Sequence, residues 1–158
     1  MRWETAPLPD LIHFIVDRYH RPLRVELPRA ISLAARVERD HALTPGCPEG
    51  LEALLECFQE RVFDHLAKEE RVVFPMILDS FGRRAAGPLR VLEEEHDEHA
   101  RNLGFLRQFT NNYTPAPHAS AFWEALYLRL AALERELRDH MHLESQVLFP
   151  RALNGRES

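Results

Sequence analysis

The sequence has few cysteines, no long apolar run and no excess of positive charge. Cys47 and Cys57 are its only cysteines, and their lack of a paired pattern argues against a disulfide-based fold and predicts a reducing, cytoplasmic setting. No apolar stretch approaches the roughly 18 residues of a transmembrane helix, and no signal-peptide core follows the N-terminus, so no membrane partner is expected. The 20 basic residues are outnumbered by 25 acidic ones, and the net charge of −5 disfavours a nucleic-acid partner.

The remaining composition is that of an ordinary soluble protein, except for its histidine content. The 158 residues are 45% hydrophobic, which is enough to bury the core of one domain, and we expect residues 1–158 to form it. Nine histidines are many for a chain of this length. Their positions therefore indicate where the chemistry of the protein lies.

Apolar residues recur at helical spacing along four stretches, and no strand pattern competes with them. The first stretch begins near Asp10, is expected to break near residues 20–22 because Pro22 removes a backbone hydrogen bond, and continues to His41. The others are predicted at residues 51–78, from Gly87 and Pro88 to Asn111 and Asn112, and from residues 118–120 to Leu153. Because the connecting loops are short, the sequence predicts an all-α, up-down-up-down four-helix bundle with a short, broken N-terminal helix.

One twelve-residue stretch occurs twice, at residues 64–75 and 139–150, and the two copies share six of twelve positions without a gap. Each copy contains the pattern His-x-x-x-Glu. Four residues turn an α-helix by about 400°, so both side chains lie on one stripe, about 6 Å apart along the axis. Each pair makes half of a metal site. The pairs are His65 with Glu69 and His140 with Glu144.

The repeat extends backwards to two single histidines. His20 precedes His65 by 45 residues, and His96 precedes His140 by 44. Two helical hairpins would each contribute one single histidine and one His-x-x-x-Glu pair. Four helices around a common axis would then bring together six candidate metal ligands, which are His20, His65, Glu69, His96, His140 and Glu144.

Four imidazoles and two carboxylates restrict the choice of metal. The set is too rich in nitrogen for magnesium or calcium, which prefer oxygen, and closed zinc sites prefer thiolates or four ligands on one ion. Six ligands in two matched halves suit two ions, each held by two histidines and bridged by both carboxylates. Because imidazole with carboxylate favours iron, we expect two non-haem iron ions with an oxo or hydroxo bridge and room for exogenous ligands, with manganese or zinc as alternatives.

The other histidines are less clearly assigned. His99 follows His96 by three residues and is a further ligand, a hydrogen-bond partner of the site or a polar residue at its rim. His142 should face away from His140, since two residues turn a helix by about 200°. No matching partner exists for His13, His41 and His118, which are interpreted as ordinary histidines.

The acidic residues beside the candidate ligands are expected at the surface. Asp64 and Glu70 should face solvent, and the run Glu93–Glu95 should be solvated. Within that run, Glu95 could tune the site from its position next to His96.

The six candidate ligands, with the Phe-Pro pairs that close both copies, resemble the hemerythrin-like HHE cation-binding domain. The resemblance covers residues 8–153. Within this broad family, the motifs resemble more closely the di-iron domain of the repair-of-iron-centres family. This resemblance implies a non-haem di-iron four-helix bundle that repairs iron–sulfur centres damaged by nitric oxide or peroxide, or delivers iron to them, with iron–sulfur proteins as clients. The segments that carry this narrower resemblance are Tyr19-His20-Arg21, Glu94-Glu95-His96-Asp97-Glu98-His99 and His140-Met141-His142-Leu143-Glu144.

Two departures from these families bear on the role. Oxygen-carrying hemerythrins have His-x-x-x-His on the third helix and end with His-x-x-x-x-Asp, whereas here His99 follows His96 by three residues and Glu144 follows His140 by four. Reversible oxygen carriage is therefore not the expected role. Repair-of-iron-centres proteins commonly carry a small cysteine-bearing N-terminal domain, whereas this chain begins close to His20. We therefore expect either that a partner supplies what that domain supplies or that this protein has a narrower role.

Three classes of function stay open at this point. The first is a stress-response protein for repair or iron delivery. The second is a module that binds or senses nitric oxide or dioxygen, and the third is an enzyme that reduces nitric oxide or peroxide. No sensor output domain and no motif for electron delivery accompany the candidate ligands, and the sequence assigns no catalytic residue.

Overall fold

The computed structural model describes residues 2–79 and 82–155, with the backbone alone at residues 82 and 83. These residues form four long helices and no strand. The first helix runs through Leu8–Ile15, Val16–His20 and Arg21–Asp40, and the second through Leu51–Lys68, Glu69–Val73 and Phe74–Leu78. After a 3₁₀ turn at Gly82–Ala85, the third helix spans Ala86–Phe109, and the fourth runs through Ala121–Leu143, Glu144–Leu148 and Phe149–Leu153.

The four helices pack as an antiparallel bundle, as short connections between consecutive helices require. The first helix contacts the second and the fourth, and the third helix also lies between the second and the fourth. The predicted all-α, up-down-up-down bundle is confirmed. In the described part of the chain, no helix combines the length and the apolarity needed to cross a bilayer.

Three buried apolar clusters fill the bundle, and the candidate metal ligands lie between two of them. One cluster includes Ile15, Leu92 and Leu148, and the next along the bundle axis includes Leu23 and Leu137. On each helix the ligands interrupt the apolar stripe between these two clusters. Polar groups enclosed by apolar layers are dry, which strengthens any electrostatic interaction among them. A third cluster, which includes Leu51, Trp123 and Leu126, fills the far end of the bundle.

Three of the helices contain a π-helical turn shortly before a proline. The turns are Val16–His20, Glu69–Val73 and Glu144–Leu148, and Pro22, Pro75 and Pro150 follow them. A proline ring clashes with the carbonyl group four residues earlier, and the wider turn relieves this clash because the residue before each proline donates to the carbonyl group five residues back. The break expected near residues 20–22 thus takes the form of a π turn inside a continuous helix. Each π turn contains one candidate ligand, which is His20, Glu69 or Glu144.

A buried carboxylate fixes the connection between the third and fourth helices. Glu134 is 3% exposed and accepts hydrogen bonds from Arg107, from the Tyr113 hydroxyl at 2.7 Å and from Arg138 Nε at 3.0 Å. The connection needs such support because Asn111, Asn112 and Tyr113 all adopt left-handed backbone angles, with φ of 51°, 58° and 57°. Each such residue stores about 1 kcal/mol or more of strain when it is not glycine.

Glu134→Gln is expected to lower the free energy of unfolding by about 2–3 kcal/mol, because charge-assisted hydrogen bonds are lost in a buried place. Burial acts to raise the pKa of Glu134, but Arg107, Tyr113 and Arg138 outweigh it and hold that pKa below its ordinary value of 4.5. A carboxylate with a lowered pKa stabilises the fold above its unfolded-state pKa, and this contribution disappears as the pH falls through the folded-state value. The difference between variant and parent should therefore shrink below about pH 4.5 in urea unfolding.

Glu136→Gln is the matched control for this prediction. Glu136 lies two residues further along the same helix and pairs with Arg18 at the surface, with 44% of its side chain exposed. Exposed pairs contribute about 0–1 kcal/mol, so this variant should unfold nearly as the parent does. An equal effect of both substitutions would contradict the role given to Glu134.

Candidate metal centre

The six candidate ligands come together in one buried layer of the bundle. None of them is more than 5% exposed. The first and third helices each supply one histidine, and the second and fourth helices each supply a histidine and a glutamate. All four helices therefore contribute to this layer. Its six candidate ligands are His20, His65, Glu69, His96, His140 and Glu144.

These side chains form two groups, in each of which the ligand atoms lie within 4.8 Å of one another. The first group contains His20 and His140, and the second contains His65 and His96. Both carboxylates, Glu69 and Glu144, belong to both groups. Each group thus takes one histidine from either half of the sequence repeat, because the first helix contacts the fourth and the second contacts the third.

The Nε2 atoms point at the centre of each group. His20 Nε2 lies 3.0 Å from His140 Nε2, and His96 Nε2 lies 3.1 Å from His65 Nε2. When two nitrogens bind the same ion at about 2.1 Å and the nitrogen–metal–nitrogen angle is 90°, the nitrogens are about 3.0 Å apart. Both observed spacings therefore suit two histidines that share one cation.

The two shared carboxylates lie against these imidazoles. Glu144 Oε1 lies 3.1 Å from His140 Nε2 and 3.2 Å from His96 Nε2. Glu69 contacts His65 Nε2 through Oε1, and its Oε2 lies 3.4 Å from His20 Nε2. None of the four carboxylate oxygens has a hydrogen bond of good geometry within the described residues. Buried oxygens without donors are expensive, and a bound cation would satisfy them.

The electrostatics of these side chains also favour a cation. Burial acts to lower the pKa of His20 and of His65, but Glu69 and its neighbouring carboxylates outweigh it and raise both values to about 9. Burial acts to raise the pKa of Glu144, but His140, Glu69 and His96 hold it well below its ordinary value. The raised pKa values mean that His20 and His65 favour their protonated forms, and metal ions would replace those protons.

Three of the four histidines are oriented by a second partner on Nδ1. His20 Nδ1 lies 3.1 Å from Glu70 Oε2, His65 Nδ1 lies 2.9 Å from Glu95 Oε1, and His96 Nδ1 lies 2.9 Å from Ser145 Oγ. Metal-binding histidines commonly have such partners, which fix the ring and its tautomer. His140 Nδ1 has no hydrogen-bond partner among the described residues, and the ring of Tyr19 stacks on this imidazole at 5.5 Å.

These partners correct two expectations about the acidic residues. Glu70 is only partly exposed, with 28% of its side chain accessible, because it lies between His20 and Arg24, whose Nη1 is 2.6 Å from Glu70 Oε2. Glu95 contacts His65 on the second helix instead of the adjacent His96, and it also accepts from Lys68 Nζ at 2.7 Å. Glu93 accepts a hydrogen bond from the Ser145 hydroxyl at 2.9 Å. Asp64 is exposed, as expected.

Sequence reasoning missed Glu70 and Ser145 as partners of the site. Each stands immediately after a candidate ligand, at a position that flanks the buried stripe. In a bundle such a flanking position faces the neighbouring helix. A polar residue directly after the glutamate of each His-x-x-x-Glu pair was therefore the sequence signal that could have identified these two partners.

Glu95→Gln is expected to weaken metal binding by about 10- to 100-fold, because the charge that orients His65 and raises its basicity is removed. The matched control is Glu94→Gln on the adjacent, exposed residue, which should bind as the parent does. Competition with a chelator of known affinity measures both. Equal affinities of the two variants would show that Glu95 does not support the site.

The remaining histidines fall into three environments. His13, His118 and His142 are exposed, and His142 faces away from the centre as predicted. His41 bonds to Thr44 and Ser120, which ties the first helix to the start of the fourth. His99 is 2% exposed and belongs to neither group of ligands.

The fold and this centre define a class of protein. The family model of the Hemerythrin HHE cation binding domain matches residues 11–152, and the chain belongs to that family. Cation binding is thus a property of the family, and the two His/Glu groups are where this chain could hold a metal.

Similar proteins that carry a functional name point to one group within this family. The chain is similar to the iron-sulfur cluster repair protein YtfE of Cronobacter sakazakii, with 46% identity over 155 residues, which covers 98% of this chain and 70% of the relative. The proteins of the same name from Musicola paradisiaca and from Escherichia coli O139:H28 are each 44% identical over 153 residues, covering 97% of this chain and 69% and 70% of the relatives. The resemblance derived from the motifs is confirmed.

Proposed function

We propose that residues 1–158 form one di-iron domain that repairs iron–sulfur centres, or returns iron to them, under nitrosative or oxidative stress. The observation that carries the proposal is the sharing of Glu69 and Glu144 by two buried histidine pairs. The names of the relatives support the role.

The donor set supports iron as the metal. Each of the two positions would have two imidazoles and the two shared carboxylates, a mixture of nitrogen and oxygen donors that suits iron, with manganese or zinc as competitors. Iron in this setting supplies Lewis acidity and one-electron chemistry. His20 and His140 would hold one ion, His65 and His96 the other, and the carboxylates would bridge them.

The ligand count supports an open and releasable centre. Six protein side chains serve two positions, so neither position is saturated by the protein. The open coordination sites on each ion would accept water, nitric oxide or dioxygen as small ligands. Fewer protein bonds per ion also favour transfer of iron to an acceptor, which suits iron–sulfur proteins as clients.

The free cysteines support a reducing compartment. Cys57 is exposed and Cys47 is partly exposed, and both are unpaired. We therefore propose that the protein works in the cytoplasm, where thiols stay reduced.

An iron-transfer assay tests the function. The protein, loaded anaerobically with ⁵⁷Fe, is mixed with an iron–sulfur dehydratase whose cluster has been damaged by nitric oxide, while a chelator intercepts free ferrous iron. We expect the dehydratase to regain activity and to contain ⁵⁷Fe. Glu69→Gln should abolish both effects, and Glu60→Gln, an exposed residue of the same helix, should not. Recovery no better than with free ferrous iron would contradict the proposal.

A further inference from the structure

His99 is a buried side chain whose hydrogen-bonding capacity is unused. Neither Nδ1 nor Nε2 has a partner among the described residues, although the side chain is only 2% exposed. A neutral imidazole offers one donor and one acceptor. Leaving such groups unpaired in a protein interior is unfavourable, so the environment of His99 points to a partner that is not part of the chain.

The position of His99 associates it with one half of the centre. Its ring meets the ring of His65 edge-on, with centroids 5.0 Å apart and planes at 81°. At the other half, the ring of Tyr19 stacks on His140 with planes only 12° apart. The two halves have matching ligands but different surroundings.

The outer side of His99 is apolar and leads towards a surface pocket. The ring of Phe58 lies edge-on to His99, with centroids 6.2 Å apart. Phe58 also lines a surface pocket of about 210 Å³ between the second and third helices, which Leu55, Leu106, Arg61 and Asn102 also line. His99 is therefore one side chain away from a pocket that opens to the surface.

We propose that His99 is a positioning residue, which donates a hydrogen bond to a small exogenous ligand on the His65–His96 side of the centre. The inference rests on the proposed di-iron function, because it needs a metal ion at that side. It makes the two metal positions unequal, so that a ligand such as nitric oxide is held preferentially at the one beside His99.

Nitric oxide is the probe for the test, applied to the di-ferrous protein. The N–O stretching frequency is recorded in H₂O and D₂O, and the dissociation constant is measured by titration. A hydrogen bond from His99 should make the frequency of the unaltered protein sensitive to D₂O. His99→Leu should abolish that sensitivity and weaken binding by about 5- to 30-fold, which is the effect of one hydrogen bond. His99→Gln, which keeps a donor, should restore part of the affinity.

His142→Leu is the matched control, since His142 is an exposed histidine that faces away from the centre. Iron content is measured first for every variant. An unaltered protein without two iron ions would refute the di-iron proposal itself. With two ions present, a D₂O-insensitive frequency, or equal affinities of His99→Leu and His142→Leu, would overturn the role of His99. Loss of iron in His99→Leu would also overturn this role, because it would indicate that His99 binds the metal directly.

Discussion

Glu69→Gln is expected to reduce the iron content from two ions per chain to fewer than one, whereas His65→Ala should leave about one. Glu69 belongs to both groups of ligands, while His65 belongs to only one. Losing the charge of Glu69 therefore weakens both positions, and losing the imidazole of His65 weakens one. Elemental analysis of anaerobically purified, iron-reconstituted protein measures the difference.

The control for this experiment is Glu60→Gln, which removes an exposed carboxylate from the same helix and should leave two ions. His140→Ala should match His65→Ala, because each removes one histidine from a different group. Two ions in Glu69→Gln, or the same loss in Glu69→Gln and His65→Ala, would show that the carboxylate does not serve both positions.

The six candidate ligands could be found in the sequence because a helix constrains their spacing. Two ligands on one helix must stand three or four residues apart and on the buried stripe. His65 with Glu69 and His140 with Glu144 meet both conditions, and the structure brings them together with the two single histidines. The bundle was predictable for the same reason, since four amphipathic stretches with short connections leave few other arrangements.

The grouping of the ligands could not be found in this way. The repeat places His20 and His65 in the same half of the sequence, whereas in the structure His20 lies with His140. Grouping depends on which helices are neighbours across the bundle axis, and a spacing along one helix carries no such information. The partners of the imidazoles depend on the same contacts, which is why the contact of Glu70 with His20 and that of Glu95 with His65 were not predicted.

The π turns could not be predicted from the sequence pattern either. A proline inside a predicted helix indicates a lost hydrogen bond, but it does not tell whether the helix breaks or widens. Here Pro22, Pro75 and Pro150 each follow a widened turn, and packing on both sides keeps the helix continuous. The same packing buries His20 at the end of its turn.

Loading with ferrous iron is expected to raise the melting temperature of the metal-free protein by roughly 15–30 °C. An ion at 1,000 times its dissociation constant stabilises the fold by about 4 kcal/mol, and each kcal/mol raises the melting temperature of a chain of this size by about 2–4 °C. Two ions give about twice the effect of one. The metal-free protein should still be folded, because three apolar clusters hold the bundle.

Anaerobic thermal unfolding, followed by circular dichroism, checks this, with each variant compared with its own metal-free form. His65→Ala should show about half of the rise, because one group of ligands stays intact, and Glu69→Gln should show almost none, because both groups lose a carboxylate. Magnesium at the same concentration should have little effect on any of them, since it binds poorly to imidazole. A rise in Glu69→Gln as large as in the parent would mean that iron stabilises the protein somewhere other than this centre.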